Sequence, residues 1–161
     1  MSNIIIGTAG HIDHGKTALI RALNGFEGDS TNEEKQRGIT IDLSFSNLTR
    51  AERNIAFIDV PGHEKLIKNM IAGAFGFDYV MLVVSSKEGL MPQTIEHIEI
   101  LSLLGIKNLI LVITKKDLVS AEDLQVKKEE ILEFLDGFDF KIKFMHEVSI
   151  FEKESIEKLK T

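Results

Sequence analysis

Short apolar runs alternate along this chain with longer segments in which apolar residues recur every three or four positions. Continuous apolar runs are typical of strands covered on both faces of a sheet, whereas the longer recurrence is typical of amphipathic helices. The pattern predicts six strands, over residues 4–7, 41–48, 54–58, 79–84, 109–113 and 141–148. It also predicts helices over residues 16–24, 94–104, 121–135 and 153–160.

The predicted strands at 41–48 and 54–58 flank a short charged turn, so we expect them to pair as a hairpin. The other strands alternate with helices, which is typical of the α/β class with a mostly parallel sheet and helices on both faces. Such sheets bind ligands at the carboxyl ends of their strands. The helix over 121–135 is predicted to bury one apolar face, formed by Leu124, Val126, Ile131, Leu132 and Leu135.

The segment from 25 to 40 is polar, charged and long for a connection inside a compact domain. Segments of that length are usually functional or disordered. Because it directly follows the helix over 16–24, its position favours a functional segment. A solvated connector is the alternative.

Composition narrows the class of protein. A chain of 161 residues with 43% apolar content is long enough for one domain with a sizeable core. The net charge of −6 argues against nonspecific nucleic-acid binding through a basic face. There is no cysteine, no basic and apolar leader, and no apolar run near the ~18 residues of a membrane span. The cytoplasm is the expected compartment.

Residues 10–17 read G-H-I-D-H-G-K-T, which is a G-x-x-x-x-G-K-T phosphate loop after an apolar strand. A strand that turns through glycines into a helix aims several backbone amides at one point, and that point binds phosphate. Lys16 is predicted to reach the β- and γ-phosphates and Thr17 to ligate Mg²⁺. The predicted nucleotide-binding residues of this loop are His11, Ile12, Asp13, His14, Gly15, Lys16, Thr17 and Ala18.

Residues 59–62 read D-V-P-G and follow a predicted strand. Asp59 is predicted to hold Mg²⁺ indirectly, as the equivalent aspartate of P-loop enzymes does. Gly62 can bring its backbone N–H against the γ-phosphate because it has no Cβ. Alone, this sequence is also a common turn.

Residues 114–117 read T-K-K-D, one residue away from the guanine-reading motif N-K-x-D. The Asp117 carboxylate can accept from both the ring N–H and the exocyclic amine of guanine, a pair that adenine lacks. The Lys115 stem would pack over the base. Thr114 is shorter than Asn and has no amide, so we expect one base or phosphate-loop bridge to be lost or water-mediated. A polar loop at a strand end is the alternative interpretation.

Taken together, residues 10–17, 37–41 and 59–64 resemble the translational GTPases, the elongation-factor-Tu-like proteins that bring tRNA to the ribosome. Elongation factor Tu normally has Asn where this chain has Thr114. Similarity to the selenocysteine-specific members lies at residues 8–10, 33–35, 39–42, 63–65 and 69–73 and at Thr114. The resemblance implies a three-layer P-loop NTPase fold of the Ras-like G-domain type. It also implies that residues 1–161 are one GTP-binding domain, the N-terminal part of a longer factor.

The resemblance supplies further roles. Thr40 would ligate Mg²⁺ only when the γ-phosphate is present, and Asp13 would recruit a monovalent cation. His63 would orient the attacking water, aided by Lys16 and Gly62 at the phosphates. Ile12 and Ile39 would form an apolar gate that holds His63 away until the ribosome acts.

Two remaining segments complete the predicted site and its surroundings. Ser149, followed by Ile150, falls where these GTPases place a backbone amide against the base oxygen. His97, on a predicted helix, and His146, on the last predicted strand, are interpreted as structural.

The resemblance therefore implies a switch that binds GTP or GDP with Mg²⁺, hydrolyses GTP when stimulated by the ribosome, and serves selenocysteinyl-tRNA delivery. The ribosome and aminoacyl-tRNA would be partners of the full-length factor. We expect a monomer that contacts no membrane and reads no nucleic-acid sequence by itself. The alternatives are another Tu-like delivery factor, of elongation or initiation type, or a nucleotide-dependent interaction module with negligible turnover. A P-loop kinase is disfavoured because none of the four arginines is placed as a late lid.

Overall fold

The structure is a computed structural model that describes residues 2–11, 13–24, 44–50, 53–59 and 76–160. Each predicted strand and helix is confirmed there, with ends that differ by a few residues; residues 41–43 of the second predicted strand lie outside the described residues. The strands are β1 Ser2–Ala9, β2 Ser44–Arg50, β3 Arg53–Asp59, β4 Tyr79–Ser85, β5 Asn108–Thr114 and β6 Lys141–Glu147. The α-helices are α1 Lys16–Asn24, α2 Pro92–Leu103, α3 Ala121–Asp136 and α4 Lys153–Leu159, with a short 3₁₀ turn at Lys116–Leu118.

The described strands form one sheet in the order β2-β3-β1-β4-β5-β6. Strand β1 pairs in parallel with β3 and β4, and the pairs β4–β5 and β5–β6 are also parallel. Only the β2–β3 pair is antiparallel among them, in register from Ser44 opposite Asp59 to Arg50 opposite Arg53. The mostly parallel six-stranded sheet and its hairpin are thus confirmed.

Side chains of the central strand β4 alternate between two hydrophobic cores. Val80, Leu82 and Val84 belong to the core that also contains α2 and α3 side chains. Met81 and Val83 belong to the other core, with side chains of α1 and α4. Because successive strand residues point to opposite faces, a strand covered on both sides must be apolar throughout. The result is the three-layer arrangement that the sequence implied.

Helix α3 corrects one predicted core position. Ile131 and Leu135 are buried, and Leu124 and Leu132 pack against the same core. Val126 is 52% exposed. At 3.6 residues per turn it lies about 200° around the helix from Leu124, so it faces solvent.

The parallel strands bring four loops to one edge of the sheet. The loops after β1, β4, β5 and β6 all begin at carboxyl ends, because these strands run in the same direction. This is the edge where such sheets bind ligands. Within the described residues, no helix is long and apolar enough to cross a membrane.

Candidate nucleotide-binding site

The phosphate loop after β1 depends on left-handed backbone conformations. Gly10 has φ of 137°, and a Cβ there would overlap the carbonyl oxygen of Val83 on β4. Asp13 and Gly15 also have positive φ, of 65° and 87°. A Cβ on Gly15 would meet no protein atom within 4 Å, so the space next to this residue is open. The loop therefore leaves room for a phosphate close to its backbone.

Lys16 begins α1 and lies almost buried inside the loop, at 8% exposure. Its Nζ donates to the carbonyl oxygens of Gly10 at 2.8 Å and of His11 at 3.0 Å. Thr17, the next residue, is exposed on the first turn of α1. The helix N-terminus and the ammonium group thus meet at one place, which favours an anion.

His97 on α2 supports this loop from the core, although the two segments are 87 positions apart. Its Nδ1 accepts from the Gly10 backbone N–H at 3.0 Å. Burial, followed by the nearby charge of Lys16, lowers the pKa of His97 to about 4. The imidazole is therefore neutral near pH 7 and able to accept this hydrogen bond. Sequence reasoning interpreted His97 as structural but did not connect it with the site.

His14 ties the phosphate loop to β4 and to the turn that follows it. The side chain is fully buried, and its Nδ1 accepts from the Ser85 N–H at 3.3 Å. Its Nε2 lies 3.1 Å from Glu88 Oε2 but forms no hydrogen bond with a described residue. Burial lowers the pKa of His14 to about 4, even though Glu88 acts in the opposite direction.

Thr114 links the phosphate loop to the end of β5. Its Oγ1 donates to the His14 carbonyl oxygen at 2.7 Å, and the side chain is 3% exposed. The bridge to the phosphate loop is therefore direct. A hydroxyl has one proton, so the second donor that an Asn amide would supply is absent.

The predicted guanine-reading loop follows Thr114 and is held by the turn after β4. Lys115 has a left-handed backbone with φ of 59°, and its carbonyl oxygen accepts from Ser86 Oγ at 2.9 Å. Its Nζ lies 3.8 Å from Glu88 Oε2. Asp117 is exposed and makes no hydrogen bond or ion pair with a described residue. Its carboxylate is therefore accessible to a ligand.

The loop after β6 corrects the predicted role of Ser149. Ser149 is fully buried, and its backbone N–H donates to Ser155 Oγ at 3.1 Å. This amide is consumed within the protein, so it does not face a base. The neighbouring Ile150 is exposed, and its amide makes no hydrogen bond to a described residue.

Several predicted site residues fall outside the described residues. These are Ile12, Ile39, Thr40, Gly62 and His63. Asp59 is described as the last residue of β3, beside β1 in the sheet.

Sequence reasoning missed Ser86, Glu88 and Ser155. The first two lie in a polar run that directly follows a buried strand, a signal that could have marked them. Ser155 gives no such signal, because it is one serine in a charged helix.

A phosphate loop at the first turn of a parallel sheet and an aspartate-bearing loop after β5 define a P-loop GTPase domain. The chain belongs to the elongation factor Tu GTP-binding domain family, whose model matches residues 1–160. It is 52% identical over 135 residues to a selenocysteine-specific elongation factor of Desulfomicrobium baculatum. That match covers 83% of this chain and 21% of the relative.

Two solved structures have the same fold. A bacterial selenocysteine-specific elongation factor superposes with a TM-score of 0.85 at 42% identity, over 99% of this chain and 28% of that one. Elongation factor SelB of Methanococcus maripaludis, in complex with the GTP analogue GPPNHP, gives a TM-score of 0.82 at 32% identity, over 99% and 32%. The chain thus spans about a fifth of the length of the curated relative and less than a third of these two structures.

Proposed function

We propose that this chain is the GTP-binding and GTP-hydrolysing switch domain of a factor that delivers selenocysteinyl-tRNA to the ribosome. The observation that supports nucleotide binding is that the phosphate loop and the T-K-K-D loop meet at one sheet edge. The hydrogen bond from Thr114 to His14 joins the two loops. The likeness to selenocysteine-specific factors over almost the whole chain supports the delivery role. An initiation-type or other Tu-like factor is therefore the less favoured alternative.

The phosphates would lie against the open space next to Gly15, with the α1 amides and Lys16 neutralising their charge. Mg²⁺ would be held by the hydroxyls of Thr17 and Thr40, and indirectly by Asp59. Thr17 fits this arrangement, because its side chain is exposed in the first turn of α1, next to the loop. When bound, Mg²⁺ offsets the negative charge of the β- and γ-phosphates. Asp13 would ligate a monovalent cation from its left-handed position in the loop.

The base would be read at the neighbouring loops. The Asp117 carboxylate would accept from the ring N–H and the exocyclic amine of guanine, and the Lys115 stem would cover the ring. The Ile150 N–H, rather than that of Ser149, would donate to the base oxygen, because the Ser149 amide is already bonded. Cytoplasmic location and a monomeric state complete the proposal.

Catalysis would depend on His63, which orients the attacking water, with Gly62 and Lys16 at the γ-phosphate. Ile12 and Ile39 would hold His63 away from the water until the ribosome acts. Aminoacyl-tRNA and the ribosome would bind through the longer factor.

Asp117→Asn tests the nucleotide assignment. The unchanged protein should bind GTP and reject ATP, because a site built to pair with hydrogen-bond donors rejects a base without them. The variant should bind GTP at least 100-fold more weakly and gain affinity for xanthosine triphosphate, whose ring carbonyl replaces the amine. Competition with a fluorescent guanine nucleotide measures both affinities.

Asp136→Asn, at the exposed end of α3, is the matched control and should leave the affinities unchanged. Equal binding of ATP and GTP by the unchanged protein would refute guanine recognition.

A further inference from the structure

The loop from Val148 to Glu152 is fastened by a dense set of hydrogen bonds. The Val148 N–H donates to Ile113 O at 2.8 Å, and the Val148 carbonyl oxygen accepts from the Lys116 N–H at 3.3 Å. Lys116 Nζ also pairs with Glu152 Oε2 at 2.6 Å. The loop is therefore attached both to β5 and to the guanine-reading loop.

Ser155 fixes the centre of this loop from α4. Its side chain is 6% exposed, and its Oγ accepts the Ser149 N–H at 3.1 Å. The same Oγ lies 3.0 Å from Ser149 O and 2.8 Å from Glu152 O, so its one proton is donated to one of these carbonyls. The Glu152 N–H also donates to Ser149 O, at 3.1 Å. Both backbone polar groups of the buried Ser149 are thus satisfied from inside the protein.

The Ser149 carbonyl and the Ile150 N–H belong to one peptide unit. That unit is planar and trans, so its N–H points away from its C=O. Because Ser155 and Glu152 hold the Ser149 carbonyl on the inner side, the Ile150 N–H is directed outward. Ile150 itself is 41% exposed.

We infer that Ser155 is a positioning residue for base recognition: by holding the Ser149 peptide, it aims the Ile150 N–H at the base oxygen. This inference rests on the proposed guanine specificity. Ser155 is only 6% exposed, so it would act on the base through the peptide unit that it holds. Removal of the Ser155 hydroxyl should therefore weaken only the binding of nucleotides whose base carries a strongly accepting oxygen.

Ser155→Ala removes the hydroxyl and tests this inference with three diphosphates. GDP and IDP carry the base oxygen, whereas 6-thio-GDP replaces it with a weakly accepting sulfur but keeps both donors expected to face Asp117. The variant should bind GDP and IDP about five- to tenfold more weakly, which corresponds to one hydrogen bond between neutral groups. Its affinity for 6-thio-GDP should stay within about twofold, because the bond affected is weak there already.

Three further variants separate this role from a structural one. Ser155→Thr keeps the hydroxyl and should restore GDP affinity, whereas Ser120→Ala removes the N-cap hydroxyl of α3 and should change no nucleotide affinity. Ser155→Cys keeps the volume but weakens the hydrogen bonds, so it gives the same comparison if the alanine variant does not fold.

Equal weakening of all three nucleotides in Ser155→Ala, or no weakening of any, would overturn the inference. A chain that binds GDP and 6-thio-GDP equally well would also overturn it, because the base oxygen would then not be read. The ratio of GDP to IDP affinity tests Asp117 separately, since IDP lacks only the exocyclic amine. Equal affinities of the unchanged protein for GDP and IDP would refute the proposed Asp117 contact. The oxygen contact is judged separately, by the comparison of GDP with 6-thio-GDP.

Discussion

At the scale of single residues, Thr114 joins the phosphate loop directly to the proposed guanine-reading loop. Its hydroxyl donates to His14 O, and its own carbonyl oxygen accepts from the Ser86 N–H at 2.9 Å. The residue is buried, so no water replaces a lost partner without cost. A threonine here preserves a direct link between the two loops with one donor.

Thr114→Val keeps the shape of the side chain and removes the donor. The buried His14 carbonyl would be left unsatisfied, so the free energy of unfolding should fall by about 1–3 kcal/mol. GDP should also bind more weakly, because the two loops lose their shared bond. Urea unfolding and GDP titration measure these effects, with Thr114→Ser as the control that keeps the hydroxyl. Equal stability of the valine and serine variants would show that the bond contributes nothing.

At the scale of elements, the sequence predicts the strands and helices well because burial on both faces leaves a strong pattern. Strands β4 and β5 are continuous apolar runs, and the G-x-x-x-x-G-K-T segment marks the turn between β1 and α1. The predicted burial of Val126 was wrong because the apolar residues of α3 were grouped without regard to their angle around the helix. The pattern gives the type of element more reliably than the facing of each side chain.

The places of Lys16 and Asp117 in the fold could be predicted from the sequence, because each lies in a short segment that follows a predicted strand. Contacts between distant segments could not be predicted in this way. Glu88, in the loop after β4, approaches His14 in the phosphate loop, and His97 on α2 bonds to Gly10 in the same loop. The correction at Ser149 has the same origin, because a sequence motif does not show which way a peptide faces.

Helix α2 makes the phosphate loop sensitive to acid through His97. In the unfolded chain this imidazole binds a proton as the pH falls below about 6.5, whereas the folded protein keeps it neutral down to about pH 4. Its contribution to stability is therefore complete above pH 6.5 and is lost between pH 6.5 and 4. From pH 7 to 4.5 the loss should be on the order of 2–3 kcal/mol.

His97→Asn removes the titration and retains an acceptor for the Gly10 N–H. The free energy of unfolding of this variant should fall less steeply between pH 7 and 4.5 than that of the unchanged protein. Urea unfolding at several pH values gives both curves. Some decline should remain, because burial also lowers the pKa of His14. Identical curves would show that His97 does not contribute to the acid sensitivity.

At the scale of the whole molecule, nucleotide binding and the orientation of the attacking water are proposed to depend on different residues. The described residues that are proposed to bind the nucleotide belong largely to loops held by the sheet and its helices. His63 and its gate, which are proposed to control the attacking water, lie outside the described residues. No arginine occurs in the phosphate loop to neutralise charge in the transition state. Binding and turnover should therefore respond differently to mutation.

The 161-residue chain alone should hydrolyse GTP slowly, on the order of 10⁻⁴ to 10⁻² s⁻¹, as unstimulated GTPases do. In a factor of the relatives' length, ribosomes should accelerate the reaction. His63→Ala should lower the ribosome-stimulated hydrolysis rate by about 100-fold or more. GTP affinity should change by less than about twofold, because His63 would contact water rather than nucleotide before the transition state. Single-turnover hydrolysis with and without ribosomes measures both rates, with His146→Gln on β6 as the control. Rapid turnover by the chain alone, or full stimulation of the His63 variant by ribosomes, would contradict this mechanism. If ribosomes did not stimulate the unchanged factor, an interaction module with negligible turnover would be favoured instead.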